Sequence, residues 1–129
     1  MTETAGRILL VDDDPVFTRV MARGFERRGF ITRRCGSAEE ALAACAEFEP
    51  SHILLDLNMP RMNGLDLVSY IRNSSQWNPL PVVMITSRTM AKHRQQAERA
   101  GVNSYITKPF TEDEVLASID RELAPRPAL

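Results

Sequence analysis

Five short strand-like segments, three of them continuous apolar runs and two of mixed polarity, alternate with five segments of helical periodicity, and this alternation leaves few folds open to the chain. The strand-like segments cover residues 7–11, 30–35, 53–55, 82–85 and 102–107. A helix between two strands returns the chain to the starting edge of a sheet, so successive strands run parallel. The pattern therefore predicts an α/β protein with a five-stranded parallel sheet and helices on both faces.

The composition of the five segments also predicts their order in the sheet. The first, third and fourth are continuous apolar runs, which is typical of central parallel strands buried on both faces. The second and fifth, ITRRC and VNSYIT, contain enough polar residues to lie at the edges. Right-handed crossovers then favour the order 2-1-3-4-5, a doubly wound (βα)5 arrangement of the flavodoxin-like type.

Capping and breaking residues mark the predicted helices. Asp14 and Pro15 have the residue types of an N-cap and a first helical position. The inner face predicted for this first helix consists of Phe17, Val20, Met21, Gly24 and Phe25. Further helices are expected from residue 38 to the break before Pro50, over 64–75, over 89–100, and after the capping box that starts at Thr111.

Length, charge and cysteine spacing limit the possible functions. At 129 residues the chain has the size of one domain, with a core at about 7–123 and residues 124–129 as a tail or the start of a linker. A net charge of −1 gives no electrostatic reason for direct binding to nucleic acid or to a membrane. Without a membrane span or a signal peptide, we expect a cytoplasmic protein. Cys35 and Cys45 have no metal or redox spacing, so reduced thiols are expected, with a disulfide as the alternative.

Most of the side chains that could take part in chemistry lie at the ends of the predicted strands. In a doubly wound sheet, ligands bind beyond the carboxyl ends of the strands, where the strand order reverses. Strand 1 ends in Asp12 and Asp13, strand 3 in Asp56, strand 4 in Thr86 and strand 5 in Lys108. We therefore expect three carboxylates, a hydroxyl group and an ammonium group to meet in one shallow cleft.

The charges of this cleft indicate the chemistry that it supports. Two like charges about 4 Å apart repel by roughly 4 kcal/mol at an effective dielectric constant near 20, and Lys108 offsets only one of three carboxylates. A divalent cation would balance the rest, and a set of oxygen ligands favours Mg²⁺ or Mn²⁺ over zinc. A metal ion beside a carboxylate, a hydroxyl and a lysine suits phosphoryl transfer, with Asp56 as the nucleophile.

Four motifs in order, ILLVDDDP, ILLDLNMPRMNG, VVMITS and YITKPF, resemble the receiver domain of two-component response regulators, of the chemotaxis-regulator type. The resemblance covers about residues 7–123. It implies that Asp12 and Asp13 are the acidic pair of the family, and that Asp56 is the phosphoacceptor. It further implies that these three carboxylates and the main-chain carbonyl of Asn58 bind the metal ion.

The resemblance also implies a conformational switch. Thr86 and Lys108 would bind the phosphoryl group, and Thr86 would move toward it while Tyr105 turns inward. The surface of helix 4, strand 5 and helix 5 would then change for partner binding. Taken alone, Tyr105 is most simply a half-buried aromatic residue of an edge strand. The peptide bond before Pro109 is expected to be cis, as is usual in the family.

The partners implied by the resemblance are a sensor histidine kinase or a histidine phosphotransfer protein, and a downstream protein target or output domain. We expect a monomer or a weak, phosphorylation-dependent dimer that modifies itself and is not an enzyme with outside substrates. One alternative is a metal-dependent phosphatase, although Asn58 cannot supply the second acid that such enzymes commonly use. Another is an interaction scaffold that is not phosphorylated. The sequence leaves open whether the domain acts alone or within a longer regulator.

Overall fold

A computed structural model describes residues 6–56, 64–77, 79–86, 91–108 and 110–123 of the chain. The strands are β1 (Gly6–Val11), β2 (Phe30–Cys35), β3 (His52–Leu55), β4 (Val82–Thr86) and β5 (Ser104–Thr107). The helices are α1 (Pro15–Glu26), α2 (Ala38–Phe48), α3 (Gly64–Asn73), α4 (Ala91–Ala100) and α5 (Glu112–Leu123). Strands and helices alternate along the chain, as the sequence predicts.

The five strands form one parallel sheet in the order β2-β1-β3-β4-β5. In its register Leu10 lies beside Leu54 of β3, and Leu54 lies beside Val83 of β4. The predicted fold class and strand order are confirmed. Because β1 and β3 are neighbours in the centre of the sheet, the chain reverses its direction across the sheet between them.

Each face of the sheet has its own apolar core. Alternate residues of each central strand point to opposite faces, so Leu9 of β1 faces one core and Leu10 faces the other. The first core lies under α2, α3 and α4, and it contains Phe48, Leu67 and Ile71. The second lies under α1 and α5. Every residue of β3 and β4 is buried, as expected for central strands.

Helix α1 begins as predicted, but its buried face is rotated from the expected one. The Asp14 side chain accepts hydrogen bonds from the amides of Val16 and Phe17, at 3.0 and 3.2 Å. Val20, expected on the inner face, is 57% exposed. The buried side of the helix is centred on Met21 and Phe25, and Val20 lies about 100° around the helix axis from Met21.

Arg72 joins α3 to the segment before β4 and to the turn between α4 and β5. Its guanidinium group donates to the carbonyl oxygens of Gly101, at 2.7 and 3.0 Å, and of Leu80, at 2.6 Å. It also donates to Oδ1 of Asn103 at 2.9 Å, and that oxygen accepts from the Val82 amide at 2.8 Å. This side chain therefore fixes the end of α4 and the turn that precedes β5, which begins at Ser104 and not at residue 102 as predicted.

Replacement of Arg72 by leucine should lower the free energy of unfolding by about 2–3 kcal/mol, because partly buried carbonyl oxygens lose charged donors. Urea denaturation of the wild type and the variant measures this loss. The control is Arg99→Leu in α4, an exposed position, where the change should stay below about 0.5 kcal/mol. Equal losses for the two variants would show that the Arg72 network does not stabilise the fold.

Candidate functional site

The backbone ladder of the sheet continues past the strand ends and fixes the first residues of the candidate site. The Asp12 amide donates to the last residue of β2 at 3.1 Å, and the Asp56 amide donates to the last residue of β1 at 3.0 Å. The Lys108 amide donates to the last residue of β4 at 2.8 Å. The positions of these three residues are therefore set by the same register that pairs the central strands.

Three carboxylates converge at this edge of the sheet, as predicted. One oxygen from each of Asp12, Asp13 and Asp56 lies within 4.8 Å of the others. Asp12 is buried, Asp56 is partly buried and Asp13 is exposed, so the cluster opens to solvent on one side. Oxygen donors with access for water are the ligands that Mg²⁺ prefers, and the residues present therefore fit such an ion.

Burial is the main cause of a raised pKa at Asp12. The negative charge of Asp56 and the hydrogen bond shared with Asp13 raise the pKa further, while the Asp14 amide and the charge of Lys108 lower it. The Asp14 amide donates to Oδ1 of Asp12 at 3.0 Å. Without a metal ion, the ionised form of Asp12 is thus disfavoured by its surroundings.

Lys108 and Thr86 complete the predicted cleft. The Lys108 ammonium lies 3.6 Å from Oδ2 of Asp12 and 4.0 Å from Oδ2 of Asp56. Thr86 ends β4 and is fully buried, next to Thr107 of β5 in the sheet register. The structure therefore brings together the three carboxylates and the ammonium group that the strand ends predict, and it places Thr86 at the end of β4, where its carbonyl oxygen accepts from the Lys108 amide.

An aromatic residue of α1 joins the cleft, which the sequence pattern did not indicate. The ring centroid of Phe17 lies 4.4 Å from the Lys108 ammonium, a cation–π contact. The Phe110 ring packs edge-on against Phe17, with centroids 5.8 Å apart. Phe17 was assigned only to the inner face of its helix. The signal that could have revealed it is its place in the first turn, three residues after the Asp14 cap.

Tyr105 lies on β5, away from the carboxylates and beside a surface groove. It is partly buried, and the guanidinium carbon of Arg94 lies 5.2 Å from its ring centroid. The groove has a volume of about 480 Å³ and is bounded by α4, β5 and α5. Ala97 is the one buried residue of α4, so this helix contributes little to the core.

Several predicted features lie on residues that the structure does not describe. They are the carbonyl of Asn58, the peptide bond before Pro109, the start of helix 4 at residue 89 and the tail at 124–129.

Cys35 and Cys45 are buried free thiols, and burial raises the pKa of Cys35 to about 11. Within the described ranges, no helix has both the length and the hydropathy needed to cross a bilayer.

Comparison with known proteins assigns the family. Residues 8–120 match the family model of the response regulator receiver domain. The chain is 35% identical over 112 residues to the transcriptional regulatory protein KdpE of Mycobacterium tuberculosis, covering 87% of this chain and 48% of that protein. It is 35% identical over 117 residues to the DNA-binding response regulator MtrA of Mycolicibacterium smegmatis, covering 91% and 50%. The chain thus spans about half the length of these curated relatives.

Solved structures agree with this assignment. The chemotaxis response regulator CheY4 of Vibrio cholerae superposes with a TM-score of 0.85 at 27% identity, covering 92% of this chain and 99% of that one. A CheY-like receiver domain protein of Methanospirillum hungatei gives a TM-score of 0.83 at 26% identity, covering 91% and 92%. The chain belongs to the receiver domain family of two-component response regulators. Members of this family are phosphoacceptor switches that work with histidine kinases and generally use Mg²⁺ at an acidic pocket.

Asp12→Asn should stabilise the protein at neutral pH when no metal ion is present. Because folding raises the pKa of Asp12, the folded state binds more protons than the unfolded state between the two pKa values, and stability falls as pH rises through that interval. The gain in the variant should be on the order of 1 kcal/mol at pH 7, or a few degrees in melting temperature. It should vanish below about pH 3.5, where the carboxyl group is mostly protonated in both states.

Addition of Mg²⁺ should reverse the order of the two proteins. Ligand binding to the folded state at 100 times the dissociation constant stabilises by about 2.7 kcal/mol, and the wild type should gain such an increment at pH 7. Asp12→Asn should gain much less because it has lost a charged ligand. Thermal melts with and without Mg²⁺ measure both effects, with Ca²⁺ as a test of ion preference. Equal Mg²⁺ shifts in the two proteins would exclude Asp12 as a ligand.

Proposed function

We propose that Asp56 is the phosphoacceptor of this receiver domain. The observation that carries the proposal is that its carboxylate lies at the junction of the acidic cluster and Lys108, at the end of the central strand β3. The two neighbouring carboxylates are less suited to the role. Asp12 is almost fully buried and accepts a hydrogen bond from the Asp14 amide. Asp13 is exposed at the outer side of the cluster.

The donor is a phosphohistidine of a sensor histidine kinase or of a histidine phosphotransfer protein. An oxygen of Asp56 attacks phosphorus, the new O–P bond forms, and the N–P bond of the donor breaks. The bonding electron pair stays on the histidine nitrogen, which takes up a proton. Lys108 and Thr86 bind the oxygens of the transferred group, so that positive charge and a hydroxyl donor meet the charge that develops there.

The metal ion is Mg²⁺, with Mn²⁺ as a substitute. Asp12, Asp13, Asp56 and the main-chain carbonyl of Asn58 would hold it, and the three carboxylates agree with its preference for oxygen ligands. When bound, the ion supplies charge neutralisation for the carboxylates and for the incoming phosphoryl group.

The output of the domain is a change of the surface formed by α4, β5 and α5. Phosphorylation adds roughly −1.5 to −2 charges beside Thr86, which moves toward the new oxygens while Tyr105 turns inward. Two observations support this proposal: α4 buries one residue, Ala97, and the groove beside Tyr105 leaves space at the moving elements. An element with few buried contacts can shift at a small energetic cost.

We propose the remaining assignments by analogy with the family. We propose one receiver domain with its core at about residues 7–123, and by analogy with the family a cis peptide bond before Pro109, which lies outside the described residues. It works in the cytoplasm as a monomer or a weak, phosphorylation-dependent dimer. Its partner is a downstream protein target or an output domain, without direct binding of the receiver to nucleic acid. It modifies itself, and slow hydrolysis of its own aspartyl phosphate ends the signal.

Incubation with acetyl phosphate and Mg²⁺ should add one phosphoryl group to the wild type, because the small donor replaces phosphohistidine at the same nucleophile. Intact-mass spectrometry detects the adduct. It should be absent for Asp56→Asn and absent without Mg²⁺. The matched control is Asp66→Asn, at an exposed position of α3, which should be modified like the wild type.

Two outcomes would contradict the proposed function. Phosphorylation of Asp56→Asn to the wild-type level would show that another residue is the acceptor. A wild type that accepts no phosphoryl group from acetyl phosphate or from a phosphorylated histidine protein would favour the scaffold alternative. Multiple turnovers of an external phosphate ester would instead favour the phosphatase alternative.

A further inference from the structure

Among the residues that the structure describes, the Lys108 ammonium has three neighbours in the cleft, and one of them is an aromatic ring. Its distances to the nearest oxygens of Asp12 and Asp56 are 3.6 and 4.0 Å. A charge-assisted hydrogen bond between nitrogen and a carboxylate oxygen is about 2.7–2.9 Å long. Both distances are longer than this, although each carboxylate attracts the ammonium. The face of Phe17, at 4.4 Å from the nitrogen, attracts it in a different direction.

The Phe17 residue is fixed at its backbone and its ring packs against a second ring, so it can present a defined surface to the ammonium. Its own backbone amide donates to the Asp14 cap at 3.2 Å, which sets the first turn of α1. The Phe110 ring, which precedes α5, packs edge-on against it at an interplanar angle of 81°. The lysine side chain is flexible, so its position in the cleft depends on the groups that surround its end.

We propose that Phe17 is a positioning residue of the phosphorylation site. Its ring holds the Lys108 ammonium away from direct contact with Asp12 and Asp56. The carboxylate oxygens then stay open to a divalent cation, and the ammonium stays available to the phosphoryl group. The availability of the ammonium to the phosphoryl group rests on the role proposed for Lys108. The access of a cation to the carboxylate oxygens depends only on charge and geometry.

Removal of the ring should let the ammonium close onto the two carboxylates, where it competes with a divalent cation for the same oxygens. Phe17→Leu should therefore weaken Mg²⁺ binding by about two- to fivefold, the range that a partly exposed cation–π contact supplies. The rate of phosphorylation by acetyl phosphate at saturating Mg²⁺ should fall by a similar factor. Phe17→Tyr keeps the ring face and should restore both values.

A double-mutant cycle with Lys108→Met separates positioning from a general structural effect. If Phe17 acts through the ammonium, Phe17→Leu should have no effect on Mg²⁺ affinity or on phosphorylation rate in a protein that already carries Lys108→Met. Isothermal titration calorimetry gives the Mg²⁺ dissociation constant without any phosphoryl transfer. The matched control is Phe25→Leu, in the same helix, whose ring makes a similar edge-on contact with Phe30 at 5.8 Å. It should lower stability and leave both readouts unchanged.

The outcomes distinguish the inference from the proposed function. An equal loss of Mg²⁺ affinity from Phe17→Leu with and without Lys108, or no loss in the wild-type background, would overturn the positioning role. A Lys108→Met protein that is phosphorylated as fast as the wild type would contradict the proposed role of the lysine. The calorimetric cycle would still decide whether Phe17 controls the access of the cation to the carboxylates.

Discussion

Electrostatic repulsion among three carboxylates is the constraint around which the rest of the structure is arranged. The strands run parallel, so their carboxyl ends meet at one edge, and the backbone bonds that extend β1 and β3 bring Asp12 and Asp56 to within 4.8 Å with Asp13. Burial, and to a lesser extent the charge of Asp56, raises the pKa of Asp12 although Lys108 opposes this, so the ionised form of Asp12 is disfavoured in the absence of a cation. The apolar cores on both faces of the sheet supply the stability that this arrangement requires.

The parts of the molecule differ in how firmly the core holds them. Strands β3 and β4 are buried along their whole length, and α1, α2 and α3 each bury several residues. Helix α4 buries only Ala97, yet its end is tied to α3 through Arg72 and Gly101. An event at the strand ends can therefore alter the α4 and β5 surface while the remaining core keeps its packing, which is what a phosphorylation switch requires.

Sequence patterns predicted the sheet and the members of the cleft because both follow from local rules. Apolar runs identify central strands, and the residue after each run must lie at the same edge. Sequence patterns failed where the position of a side chain depends on the rotation of a helix about its axis or on a contact between residues far apart in the sequence. Val20 fits an apolar helical stripe but lies outward, since the stripe centre is set by packing on the sheet. Phe17 meets Lys108 only because α1 begins and β5 ends at the same cleft, and Arg72 binds a carbonyl 29 residues away.

The most direct test of this account is the chemical position of the phosphoryl group. Borohydride reduces an acyl phosphate to an alcohol, so an aspartyl phosphate becomes homoserine, which tandem mass spectrometry of peptides can locate. If Asp56 is the phosphoacceptor, phosphorylation from a histidine donor followed by reduction gives homoserine at position 56 and leaves an unmodified aspartate at positions 12 and 13. Homoserine at either of those positions, or a phosphoryl group on a hydroxyl side chain such as Thr86 that resists borohydride, would contradict it.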